Sequence, residues 1–187
     1  MEKREKILQQ AEDLLKSANL TVDDFVQYCA EKETVKAKVS VQNFAFEVMY
    51  EGMVRSWVPL KGKKPLGVIF ENHLITLHDS PRTMPWREAV KYCQSVKIEG
   101  HACSAGKIGF WKKLADNSEW QKRVLDELLV MLGGDSVAAS RKWHWSSSES
   151  VCGEAWAWCY VYGYLDESLK VNYCFVVRPV LNLSELS

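Results

Sequence analysis

No run of apolar residues in this sequence approaches the ~20 that a membrane-spanning helix needs. The first residues, MEKREKILQQAEDLLKSA, interleave acids, bases and glutamines, and so lack the apolar core of a secretory signal. As written, the chain is therefore expected in the cytoplasm, with a phage particle or cell surface reached by another route as the alternative. An excess of charge of one sign is also missing, because Lys plus Arg and Asp plus Glu both number 24. No global field pushes such a chain towards nucleic acid or an anionic membrane, and neither is an expected partner. The six cysteines, Cys29, Cys93, Cys103, Cys152, Cys159 and Cys174, contain no CxxC pair. In a chain of this length that lacks a secretory signal, free thiols are the expectation. Internal repeats and low-complexity tracts are absent too, which excludes solenoids and disordered tails.

What is present describes a globular protein. The 187 residues fit one domain plus a small appendage. Hydrophobic residues make up 47% and charged residues 26%, enough to bury a core without disulfide staples. Four of the eight tryptophans fall between Trp143 and Trp158, which points to a dense core or a recognition surface.

Along the chain the hydrophobic period changes. Ile7, Leu8, Ala11, Leu14 and Leu15 share a helical face. Val22, Phe25, Val26 and Cys29 form the apolar side of a second helix behind Thr21. A helical hairpin over residues 1–34 follows. From Val35 to Leu60 the texture is β-branched and aromatic, with a turn at Glu51-Gly52. Pro65 to His78 reads as two short strands around Glu71-Asn72. Thr83 or Met84 opens a helix that carries Trp86, Ala89, Val90, Tyr92 and Cys93, with Pro85 in its first turn. HACSAGKIGF reads as a loop or a broken helix. Asn117 to Leu132 reads as a helix with Trp120, Val124, Leu125, Leu128 and Leu129 inward, stopped by Gly133-Gly134. Short strands follow in WHWSSS, AWAWCYVYG and YCFVVRPVLNL.

The order of motifs is informative. Leu66-Gly67-Val68-Ile69 precedes a hairpin, Trp86-Arg87-Glu88-Ala89-Val90 opens a helix, and Gly133-Gly134 ends the next one. Trp145-Ser146-Ser147-Ser148-Glu149, Ala155-Trp156 and Val177-Arg178-Pro179-Val180 then come in turn. From Pro65 to Leu183 this order resembles the C-type lectin-like fold of the formylglycine-generating-enzyme-like group. That group includes bacterial and phage proteins diversified by retroelements. The resemblance implies an α+β fold for residues 35–187, with two helices, short antiparallel strands and a loop-rich C-terminal half. Its variable-type segment would run over residues 143–183, after the helical hairpin. Trp145 and Trp156 would anchor the floor, the serine run would tie irregular backbone, and Arg178 would hold a turn or pair with Glu149.

In diversified relatives variation lies between the WSS and RPV motifs, at adenine-rich codons. The resemblance therefore implies a ligand-binding surface made of Ser150, Val151, Cys152, Gly153, Trp158, Tyr160, Tyr162, Tyr164, Asp166, Ser168, Asn172 and Tyr173. An ordinary, invariant lectin-like surface is the alternative. Tyrosines give wide, semi-rigid contact area and a hydroxyl, the chemistry that paratopes use. As strand neighbours, Tyr160, Tyr162 and Tyr164 would share one face with Trp156 and Trp158. The expected ligand is a protein or a glycan.

Other chemistry finds little support. The EPN, QPD and WND motifs of calcium-dependent sugar binding are missing, and the late segment has only Glu149, Glu154, Asp166 and Glu167 as carboxylates. His101, Cys103, His144 and Cys152 do not follow a zinc spacing. The group's cysteine oxidases use a reactive cysteine pair and copper, and that pattern does not map onto Cys152, Cys159 or Cys174. No cofactor and no catalytic constellation is expected. A cysteine-dependent oxidase and a scaffold that binds partners through its N-terminal helices remain the alternative functions.

Overall fold

The computed structural model describes residues 45–138, 142–151 and 153–186. The hairpin expected over residues 1–34 and the predicted ligand residue Cys152 lie outside the described residues. Within them the fold is mixed α+β.

The described residues begin with β1 (Glu47–Tyr50) and β2 (Val54–Ser56), joined by a turn in which Gly52 and Met53 take φ of 77° and 57°. β3 (Pro65–Phe70) and β4 (His73–Thr76) make the hairpin around Glu71-Asn72. α1 (Trp86–Ser95) starts directly after Pro85, whose missing N–H falls where no helical bond is needed. The two-residue strands β5 (Lys97–Ile98) and β6 (His101–Ala102) follow. Next come α2 (Ile108–Ala115) and α3 (Glu119–Met131). A second sheet holds β7 (Trp143–Glu149), β8 (Glu154–Cys159) and β9 (Tyr164–Leu169). β10 (Val180–Asn182) runs into a 3₁₀ turn at Leu183–Leu186.

The first sheet has the order β10-β4-β3-β1-β2, and each of its neighbouring pairs is antiparallel. The last described strand is thus built into the sheet of the first four, with Leu181 opposite Leu74. On one side, Val48, Val68 and Ile75 pack with Trp111 and Leu114 of α2, with Leu125, Leu128 and Leu129 of α3, and with Trp158. On the other, Met49, Ile69 and Leu74 pack with Cys103, Leu181 and Leu183. A third cluster joins Trp86, Ala89 and Cys93 of α1 to Trp145, Ala155 and Ala157 of the second sheet.

Four local expectations are corrected. The segment read as a loop or broken helix ends in α2, so the domain has three described helices rather than two. Phe110, Trp111, Leu114 and Ala115 make its buried side. Trp120 is 58% exposed rather than inward, because it stands in the first turn of α3 and off the face set by Leu125, Leu128 and Leu129. β9 is a strand that no hydrophobic alternation in the sequence announces, because nearly all its residues stay accessible. Trp156 is only half-buried, and Trp111, Trp145 and Trp158 form the buried floor instead.

Candidate functional site

Hydrogen bonds from tryptophans and serines hold the second sheet in place. Trp145 Nε1 donates to the Met84 carbonyl at 2.9 Å, and Trp86 Nε1 donates to the Ser146 carbonyl at 2.8 Å. The strand β7 is irregular between Trp145 and Glu149, and the serine run ties that stretch down. Ser146 Oγ donates to the Trp156 carbonyl at 2.8 Å, Ser147 Oγ donates to the Gly106 carbonyl at 2.9 Å, and Ser148 Oγ accepts from Ile108 N–H at 2.9 Å. Each serine thus satisfies backbone that a regular ladder would leave unpaired.

Beneath the sheet lies a buried charge cluster. Arg178 Nε donates to Asp79 Oδ1 at 2.7 Å, and an Arg178 terminal nitrogen donates to the Asp135 carbonyl at 2.9 Å. His144 Nε2 lies 3.2 Å from the same Asp79 oxygen. The pairing of Arg178 with Glu149 expected from sequence does not form; Glu149 meets Lys170 at 2.6 Å instead. Burial alone would raise the Asp79 carboxyl, but the hydrogen bond from His144 and the charge and hydrogen bond of Arg178 outweigh it. They hold the carboxyl well below the usual carboxylate range. Burial pushes the His144 imidazole below its ordinary value, against the pull of Asp79. The coherent state is an ionised Asp79 paired with Arg178⁺ and accepting the Nε2–H of a neutral His144. The other face of His144 stacks on Trp158 at 4.5 Å, and Trp158 stacks on Trp111 at 4.1 Å. This column locks the sheet to α2.

On that base stands an aromatic surface. Trp143 is opposite Cys159, and Cys159 is opposite Tyr164, so the three share one face across three strands. Tyr164 is 61% exposed and stacks on Tyr162, with centroids 5.5 Å apart. Trp143 stacks on Phe175 at 6.0 Å, and Phe175 stacks on the 49% exposed Tyr173 at 5.8 Å. Asp166 follows Tyr164 on the same face and is exposed, with its carboxylate accepting from Glu167 N–H at 2.9 Å. The amides of Asn172 and Tyr173 both donate to the Leu169 carbonyl, which leads the strip towards the far end of β9.

The sequence-derived ligand residues divide by burial. Tyr162, Tyr164, Asp166, Asn172 and Tyr173 are exposed and lie on or beside the strip. Val151 and Gly153 are exposed at the turn between β7 and β8. That turn lies at the other end of β8 from Tyr164, about 20 Å away at 3.3 Å per residue, but beside the Asn172–Tyr173 end of the strip, since the Gly153 carbonyl accepts from Lys170 N–H at 3.2 Å. Ser150 is half-buried and donates to Glu167 Oε1 at 2.6 Å. Trp158, Tyr160 and Ser168 are buried and do not present their side chains to solvent. The shared face expected of Tyr160, Tyr162 and Tyr164 is broken because β8 stops at Cys159 and the chain turns over Tyr160–Gly163. Tyr160 points inward, with its hydroxyl donating to the Lys122 carbonyl at 2.7 Å.

Trp143 and Phe175 belong to the strip although sequence reasoning passed over them. The alternation of Tyr173 with Phe175 in extended backbone was the available signal. Among the described residues no three His, Cys, Asp or Glu side chains group as metal ligands. Burial pushes the Cys93 thiol up, helped by nearby Cys103, and pushes Cys103 up to about 11. No described helix is long and apolar enough to cross a membrane. No protein-family model matches the chain, and no curated protein is significantly similar to it.

Proposed function

We propose that this chain is a ligand-binding protein: a C-type lectin-like scaffold that presents an aromatic face to a protein or glycan, with that face diversified by a retroelement. The observation that carries the reading is the strip in which exposed Tyr162, Tyr164 and Tyr173 flank the half-buried Trp143 and Phe175. It lies on a sheet fixed from below by buried tryptophans and an ion pair. Large exposed rings of low side-chain entropy on a rigid base are what a binding surface requires. The lectin-like assignment is supported by a first sheet that the C-terminal strand completes, by helices between the two sheets in sequence, and by the second sheet in the place where the family varies. A cysteine oxidase needs a thiol of lowered pKa, a role that Cys93 and Cys103 do not fit because burial pushes both up.

The test is a screen of the full chain against glycan and protein arrays, repeated with the Tyr164→Ala/Tyr173→Ala double variant and with Trp57→Ala. Trp57 is equally exposed but belongs to the edge of the first sheet. The expected result is at least a tenfold loss of binding in the double variant and none in Trp57→Ala. Its denaturation midpoint should stay close to wild type, because exposed substitutions shift stability by only about 0.5 kcal/mol. Binding that survives the loss of both tyrosines contradicts the proposal.

A further inference from the structure

A cleft of about 340 Å³ opens between α1, the loop before α2, and the rung where β4 meets β10. It shares no residue with the aromatic strip. Its volume is at the lower end of the roughly 300–1,000 Å³ that small-molecule sites span. The floor is rigid. Trp111 Nε1 donates to the Ala105 carbonyl at 2.8 Å, and both N–H and Oγ of Ser147 donate to the Gly106 carbonyl, at 2.7 and 2.9 Å. Ser104 and Val180 exchange two backbone hydrogen bonds of 2.8 Å. Gly106 has φ of 66°, and a Cβ there would sit 2.7 Å from Trp111 Nε1, so the turn admits only glycine.

The lining is selective in charge. It contains no carboxylate, and Lys107 is its one residue of permanent charge. Lys107 makes no ion pair among the described residues, and neither its ammonium nor the Gln94 side-chain amide is hydrogen-bonded there. Ser104 Oγ accepts from Gly106 N–H at 3.3 Å, which leaves its hydroxyl proton to donate into the cleft. Three donor-bearing side chains, one of them cationic, thus line the cleft together with Val90 and Val180. We propose that this cleft is a second binding site, for a small molecule bearing an oxyanion, either a carboxylate or a phosphate. Lys107 supplies a charge-assisted bond to the anion, Gln94 and Ser104 orient it, and the ligand's apolar part lies against the valines.

The test is an NMR titration of the isotope-labelled full chain at constant ionic strength. Inorganic phosphate and citrate are the two anionic probes, and glucose and sodium chloride are the controls. Saturable shifts at the Ser104, Gly106 and Lys107 amides and the Gln94 side-chain amide are expected with at least one anion, and which anion saturates distinguishes the two groups. Lys107→Glu should weaken that binding at least tenfold. So should Ala102→Trp, which fills the cleft from an exposed position and keeps the charge. The proposal is overturned if neither anion gives saturable shifts there, if a control shifts the same signals equally, or if binding survives both substitutions.

Discussion

Asp79 accepts hydrogen bonds from two side chains far away in sequence. His144 is 65 residues on and Arg178 is 99 residues on. With both Asp79 and Arg178 buried, each charge is tolerable only because the other is present. Nothing in the sequence around Asp79 announces this, because the pairing exists only once the second sheet has docked. The cluster makes stability depend on pH with a definite sign. Both Asp79 and His144 bind protons less readily folded than unfolded. The unfolded chain therefore takes up protons first, and stability falls on acidification. The His144 contribution is complete above its unfolded pKa of about 6.5, and that of Asp79 above about 3.9; each is lost as pH falls towards the folded value. Urea midpoints should therefore drop between pH 7.5 and pH 5.5, and again below about pH 4. His144→Gln, which keeps an N–H for Asp79, should flatten the first drop. An identical drop in that variant would show that His144 is not the group concerned.

Among the elements, α3 was the most legible and α2 and β9 the least. α3 carries its face in Leu125, Leu128 and Leu129. It ends in a Schellman motif, with Gly134 N–H donating to the Leu129 carbonyl and Gly133 N–H to that of Val130. Its start shows a capping box between Ser118 and Gln121, one residue inside the expected start at Asn117. Ser118→Ala should cost about 1 kcal/mol of unfolding free energy, read as a lower urea midpoint at unchanged slope. A midpoint that does not move would mean that the box forms no net interaction. α2 escaped reading because it has only eight residues, follows the left-handed Gly106, and has no side-chain cap at Lys107. β9 escaped because an edge strand open to solvent obeys no hydrophobic alternation, and its pairing with β8 is set by the neighbour rather than by its own residues. The tyrosine run misled for a related reason, since alternation holds only while the strand lasts.

Across the described residues, the fully buried side chains and the exposed ones are different sets, joined through the half-buried Trp143 and Phe175 that pack on the Trp145 cluster. Trp111, Trp145, Trp158, His144 and Arg178 fix the second sheet from within, while Tyr162, Tyr164, Asp166, Asn172 and Tyr173 contribute nothing to the core. The segment that holds the candidate surface was legible from its motif order, but the division between core and surface was not. Trp158, Tyr160 and Ser168 look like surface candidates in a list and are interior in three dimensions. That separation is what lets a surface vary without unfolding its scaffold. The most direct test is deep resequencing of the coding segment for Trp143 to Leu183 across a population of the source cells. The proposal predicts substitutions concentrated at Val151, Tyr162, Tyr164, Asp166, Asn172 and Tyr173, with Trp145, Trp158, Tyr160 and Arg178 unchanged. An invariant segment, or substitutions spread evenly over exposed and buried positions, would contradict it.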